Sequence, residues 1–195
     1  MKHGVRWAIA AVILMIAGVV AIWPRSEPAP TPEETTQTSP DLTQARAKAD
    51  LPACGTTPQG PADLGGITAE CLADGLSVDV AQALGAPVLV NVWATWCEPC
   101  KTELPVLDDY AREPGATKVV TLAVQSTPAD ALELLAALDV HLPSLIDGSG
   151  AVMKKLHPAA IPASYLVGSD GTVTLIQNPR LFESVDQVRQ AVAHG

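Results

Sequence analysis

This 195-residue sequence predicts an α/β domain, a central mixed sheet flanked by helices, carried behind an N-terminal membrane anchor and a linker. Three observations point there. The run Val88-Leu89-Val90-Asn91-Val92-Trp93-Ala94 is apolar at almost every position, as in a strand buried on both faces of its sheet. A helical stretch from Cys97 to about Arg112 and a second apolar run from Val119 to Val124 follow it, which completes a βαβ unit. Tyr165-Leu166-Val167 and Thr172-Val173-Thr174-Leu175-Ile176 enclose Gly168-Ser169-Asp170-Gly171, the signature of a hairpin.

At the N-terminus, Lys2 and Arg6 precede an uncharged apolar run from Trp7 to Trp23. About 17 residues of helix span roughly 25 Å, the short limit for crossing a bilayer. The two tryptophans bracket the run as interfacial aromatics do, and only Arg25 follows before Glu27, Glu33 and Glu34. This bias places the N-terminus inside and the rest of a single-pass chain on the extracytoplasmic side of the cell membrane. Residues 1–23 are therefore read as a transmembrane signal-anchor. Val19-Val20-Ala21 leaves a cleaved signal peptide open, and the domain would then be secreted. No cysteine lies near the end of the run, which argues against a lipoprotein.

Residues 24–50 read as a disordered linker. Pro24, Pro28, Pro30, Pro32 and Pro40 are interspersed with Thr, Ser and Glu, and such a stretch buries too little apolar surface to fold. The folded domain is assigned to residues 51–195. Within it Pro105 should kink the helix after Cys97. Thr127, Pro128 and Asp130 form the start signal of another helix, whose apolar face is Ala131, Leu134, Leu135 and Leu138. A last helix carries Leu181, Val185, Val188 and Val192 on one stripe. The net charge is −9 and no basic stripe is present, which excludes a nucleic-acid partner.

The chemistry is concentrated in Trp93-Ala94-Thr95-Trp96-Cys97-Glu98-Pro99-Cys100. The Cys-x-x-Cys lies where a buried strand gives way to a helix. Cys97 falls at the helix N-terminus, where unpaired N–H groups and the helix dipole favour a thiolate. The thiolate is the attacking species in disulfide exchange. Cys97 is thus the candidate nucleophile and Cys100, one turn on, the resolving thiol. A zinc site lacks two further ligands, and covalent haem attachment lacks a histidine after Cys100, where Lys101 stands. No metal and no organic cofactor is implied. His141 and His157 read as surface residues.

The run from Asn91 to Pro105, NVWATWCEPCKTELP, resembles the active-site segment of the TlpA/ResA-type membrane-anchored thioredoxin-like proteins. The resemblance extends from about residue 64 to the C-terminus. It implies a thioredoxin fold and extracytoplasmic thiol–disulfide exchange. Many relatives keep the cysteines of apocytochrome c reduced or serve other exported thiols, so a role in cytochrome c-type biogenesis is implied. Pro162 matches the family's cis-proline, and the backbone of Ile161 beside it would pair with substrate as an added strand. The bland reading of Pro162 is a strand-start proline. Trp96 is the substrate-contact candidate beside the sulfurs. Glu103 matches an acidic residue that relatives use near the thiols, either taking the Cys100 proton or holding the thiol protonated by like charge. The alternative is a solvated surface glutamate. Asn91 stands where cytoplasmic thioredoxins carry a buried aspartate. Where relatives often have Thr-Thr after the cis-proline, this chain has Ala163-Ser164.

Cys54 and Cys71 precede the first core strand in a Gly- and Pro-rich loop and read as a structural disulfide. A second redox relay to Cys97–Cys100 and a pair of free thiols are the other readings. The expected activity is reduction of disulfides in exported proteins, with electrons from a membrane thiol carrier. Its rivals are an oxidase that introduces disulfides and a non-catalytic thioredoxin-like binding module.

Overall fold

The structure, a computed structural model, describes residues 42–194. The predicted anchor over residues 1–23 lies outside them, as does most of the predicted linker. Among the described residues no helix is long and apolar enough to cross a membrane.

The described chain begins with a helix, α1 (Thr43–Ala49), that the linker boundary at residue 50 did not foresee. Leu42, Ala45 and Ala49 repeat at helical spacing and face the core, with Ala49 fully buried. Arg46 anchors the other side, donating to the Leu72 carbonyl at 3.2 Å and pairing with Glu70 at 3.2 Å. The apolar stripe is short and made of small residues, so composition outweighed periodicity in that stretch. The folded domain therefore starts before Leu51.

A short hairpin follows, β1 (Thr68–Cys71) and β2 (Ser77–Asp79), and then α2 (Val80–Leu84), whose first turn is capped by Asp79 accepting from the Gln82 N–H at 3.0 Å. β3 (Val88–Trp93) and β4 (Val119–Val124) are buried at all six positions and pair in parallel across α3 (Glu98–Ala111), as the βαβ reading requires. The helix α3 continues through Pro105.

α4 (Pro128–Ala137) starts where its signals placed it. Thr127 Oγ1 accepts from the Asp130 N–H at 3.2 Å and donates to the Asp130 carboxylate at 2.8 Å. Its deepest residues are Ala131, Leu132 and Leu135, while Leu134 and Leu138 sit at the edge of the core. β5 (Ser144–Asp147) and α5 (Ala151–Leu156) come next and are too short to show a period. β6 (Ala163–Val167) and β7 (Val173–Leu175) form the expected hairpin, with Gly171 at φ +83° in its turn. α6 (Val185–His194) keeps Val185, Val188 and Val192 against the core. Leu181 precedes that helix, and its neighbour Phe182 is the residue buried there, at 1% exposure.

The strand order is β2-β1-β5-β4-β3-β6-β7. β5, β4 and β3 are parallel and β6 runs against them. Val92 pairs with Ala163, Trp93 with Ala123, and Val124 with Asp147. One end of the sheet thus gathers the carboxyl ends of the parallel strands and the entry to β6. This is the architecture of a thioredoxin-like fold, and its chemistry-bearing residues sit at that end.

Candidate active site

Cys97 ends the turn out of β3 and is the N-cap of α3, with φ −85° and ψ 103°. Its sulfur accepts from the Cys100 N–H at 3.3 Å. Pro99 costs no hydrogen bond in the first turn, where its N–H would lack a helical partner. Cys97 and Cys100 are joined as a disulfide with Cα atoms 5.3 Å apart. Both cysteines are nearly buried, whereas Trp96 beside them is 60% exposed, a large apolar surface left open at the sulfurs. Glu98 is exposed and tied to Lys101 at 2.9 Å, so its charge is offset locally.

The turn before Cys97 is fixed from the neighbouring strand. Ser126, just beyond β4, accepts from the Thr95 N–H at 3.0 Å, touches the Thr95 hydroxyl at 3.2 Å, and donates to the Val124 carbonyl at 2.9 Å. No sequence motif marks Ser126. Its role depends on strand pairing between β3 and β4.

Glu103 is not a surface residue. It is 1% exposed, one turn after Cys100 on α3. Its Oε2 accepts from the Asn91 side-chain amide at 2.7 Å and its Oε1 from the Phe182 N–H at 2.9 Å. Asn91 also donates to Ser164 Oγ at 3.0 Å, which links β3 to β6, and its own Oδ1 has no partner among the described residues. Burial pushes the Glu103 carboxyl above its ordinary 4.5, and the hydrogen bonds from Phe182 and Asn91 pull the other way. The residue that replaces the buried aspartate of cytoplasmic thioredoxins is thus bonded directly to this buried glutamate. Ser164 and the backbone of Phe182 were not legible as partners, since both lie more than 70 residues from the atoms they bond in sequence.

The Ile161–Pro162 peptide bond is cis. Ile161 and Pro162 are half-buried and lead straight into Ala163, the β6 partner of Val92, which brings them to the Cys97 end of the sheet. Among the described residues, the backbone N–H and C=O of Ile161 make no hydrogen bond.

Cys54 and Cys71 are also joined, with Cα atoms 5.9 Å apart. Cys71 pairs with Leu145 on β5, Leu145 with Leu122 on β4, and Leu122 lies opposite Val92 on β3. Three strand spacings, about 14 Å, separate Cys71 from β3 alone. Direct exchange with Cys97 needs sulfur contact, so this bridge does not relay to the active pair within one molecule.

Comparison with known proteins agrees with this geometry. The family model described as Redoxin matches residues 37–191. The thiol-disulfide oxidoreductase ResA of Bacillus thuringiensis is 27% identical over 103 residues, covering 51% of this chain and 59% of that protein. The thiol:disulfide interchange protein CycY of Rhizobium leguminosarum is 38% identical over 94 residues, covering 48% and 50%. The chain thus spans little more than half the length of these relatives. Among solved structures, a secreted Mycobacterium tuberculosis disulfide oxidoreductase homologous to Escherichia coli DsbE superimposes with a TM-score of 0.58 at 26% identity, over 66% of this chain and 96% of that one.

Proposed function

We propose that this chain, which belongs to the Redoxin family, is a thiol–disulfide oxidoreductase that reduces disulfides of exported proteins from the extracytoplasmic face of a membrane. The observation that carries the reading is Cys97 as the N-cap of α3, accepting from the Cys100 N–H, at the end of the sheet that also holds the cis Ile161–Pro162 bond.

The chemistry follows from this placement. With the pair reduced, the helix N-terminus favours a thiolate at Cys97. That thiolate attacks one sulfur of a client disulfide, forms a Cys97–client bond and expels the other client sulfur as a thiolate, which takes a proton from solvent. Cys100 then attacks the Cys97 sulfur. Its proton passes to Glu103, the Cys97–client bond breaks and the Cys97–Cys100 bond closes. The second client sulfur leaves as a thiolate that is protonated from solvent, while Glu103 returns its proton to solvent. Two electrons pass from the protein dithiol to the client. Pro162 and Ile161 seat the client backbone and Trp96 covers the exchanging sulfurs. A membrane thiol carrier returns the electrons, and no cofactor takes part in the cycle.

Residues 1–23 serve as the anchor and the Pro-rich stretch that follows as the tether, supported by the charge asymmetry around the Trp7–Trp23 run. Apocytochromes c are the client class that the motif resemblance implies. The reducing direction rests on the buried carboxyl of Glu103 near the thiols, since a dithiol with a less stabilised thiolate is the weaker oxidant.

Equilibration of the full chain in defined thiol buffers, with alkylated cysteines counted by mass, tests this. A potential near that of thioredoxin, about −270 mV, is expected for a reductant. A potential approaching about −120 mV makes the protein an oxidase and overturns the direction. A Cys97 that alkylates no faster than free cysteine reduces the domain to a binding module.

A further inference from the structure

The loop Pro158–Pro162, which ends in the cis bond, is flanked by two clefts that share Pro158. One, of about 620 Å³, opens over the carboxyl ends of β4 and β5 and is lined by Gln125, Lys154 and His157. The other, of about 240 Å³, lies against Pro162 and Ile176 and carries a single charged residue, Arg180.

On a chain of net charge −9, cations at this position are informative. Arg46, Lys101, Arg112, Lys155 and Arg189 are each paired with a carboxylate, and Lys118 donates to the Ala83 and Leu84 carbonyls. Among the described residues, the lysines and arginines left without a partner are Lys48, Lys154 and Arg180. Two of these three line the clefts on either side of the cis-proline loop. The acidic residue in the larger cleft, Asp147, is engaged by the Met153 N–H, in the first turn of α5, at 2.8 Å and by the Ser149 hydroxyl at 3.1 Å.

We infer that the clefts flanking Pro158–Pro162 recognise acidic side chains on the polypeptide client, with Arg180 and Lys154 as specificity-determining residues that read positions beside its disulfide. The inference rests on the oxidoreductase reading above. A client strand laid along the unpaired backbone of Ile161 sends the residues flanking its cysteine to either side of the loop. Unpaired cations there raise the encounter rate of an acidic segment that the rest of this surface repels.

The test uses the full chain, reduced, in detergent micelles, with three peptides of equal length. Each carries the same intramolecular disulfide, flanked by Glu, Gln or Lys. The oxidation rate of the Cys97–Cys100 dithiol is read by quenching and mass. At low ionic strength the Glu peptide is expected to react about fivefold faster than the Lys peptide. That ratio should fall toward one near 1 M salt, where the screening length is about 3 Å. Lys154→Glu with Arg180→Glu should invert the ratio, while Lys48→Glu, on α1, should leave it in place. Equal rates for the three peptides, or a ratio that the double variant does not move, overturn this inference and leave the oxidoreductase reading standing. A chain that exchanges with none of the peptides overturns both.

Discussion

The Asn91 amide donates to Glu103 Oε2 at 2.7 Å, and this bond is what ties the central strand β3 to the helix that carries the cysteine pair. Both residues are buried, and the carboxyl accepts from the protein at both oxygens: from the Asn91 amide on one and the Phe182 N–H on the other. Two donors support the charged form while burial opposes it, and burial is the larger effect. Glu103 therefore takes up a proton more readily than an exposed glutamate does.

Its effect on stability has a definite sign. The folded protein binds the Glu103 proton more tightly than the unfolded chain does. Stability contributed by this group is thus greatest below the ordinary value of 4.5 and falls as pH rises through the folded-state value. Glu103→Gln should flatten that part of the profile in denaturant titrations run from pH 4 to 8. In the reduced protein the same variant removes the negative charge one turn from Cys100, so thiol alkylation should shift to lower pH. An unchanged alkylation profile removes Glu103 from the thiol chemistry.

Asn91→Ala deletes a donor to a charged acceptor and should cost about 1.5–3 kcal/mol. The substitution also deletes the bond to Ser164 Oγ and removes the buried Oδ1 that has no partner among the described residues. The Glu103 proton should then bind more tightly still. Equilibrium unfolding, together with the carboxyl titration followed by infrared or NMR, separates the two effects.

Replacing both Cys54 and Cys71 with serine should lower stability by about 3 kcal/mol, the loop-closure contribution for a separation of 17 residues. Single-turnover exchange at Cys97 should persist at its original rate when measured well below the new melting temperature. A collapse of exchange in a folded double variant contradicts the structural assignment.

What the sequence makes legible is whatever is local. The buried run of β3, the Cys97 cap, the Thr127 start signal and the Gly171 hairpin each announce themselves within a few residues, and each appears where its chemistry demands. β1, β2 and β5 do not, because three or four residues show no period and their burial comes from neighbours distant in sequence. The same limit applies at the site. Glu103 can be named from its motif, but its burial depends on Phe182, 79 positions away, and on a strand partner 12 positions back. α1 shows the opposite error, a helix hidden by the proline-rich composition before it.

Ser126→Ala tests whether the turn before Cys97 needs its brace. The hydroxyl serves the Thr95 N–H, the Thr95 side chain and the Val124 carbonyl. Its loss should cost about 1 kcal/mol of stability. Because the Thr95 N–H then has no fixed acceptor, the exchange rate of Cys97 should fall severalfold. Thr or Cys at 126 can restore an acceptor, and recovery of the rate by Ser126→Thr but not by Ala would separate positioning from packing.

His141 joins the start of the domain to the loop before β5. Its Nδ1 lies 3.1 Å from the Asp50 carbonyl and its Nε2 lies 3.2 Å from the Asp139 carboxylate. Both partners are acceptors only, so both ring nitrogens must donate, which the neutral ring cannot do. The two bonds accordingly raise the His141 value above 6.5, led by the Asp50 carbonyl. A raised histidine stabilises the fold fully below its unfolded value and loses that contribution as pH climbs through the folded one. The segment held in this way is the C-terminal end of α1, where the Asp50 N–H bonds the Arg46 carbonyl at 3.0 Å. Hydrogen exchange at Asp50 should therefore be slower, after correction for intrinsic pH dependence, at pH 6 than at pH 8.5. His141→Gln should abolish the difference. Equal protection at the two pH values in the unsubstituted protein would show that the neutral ring holds α1 as well as the charged one.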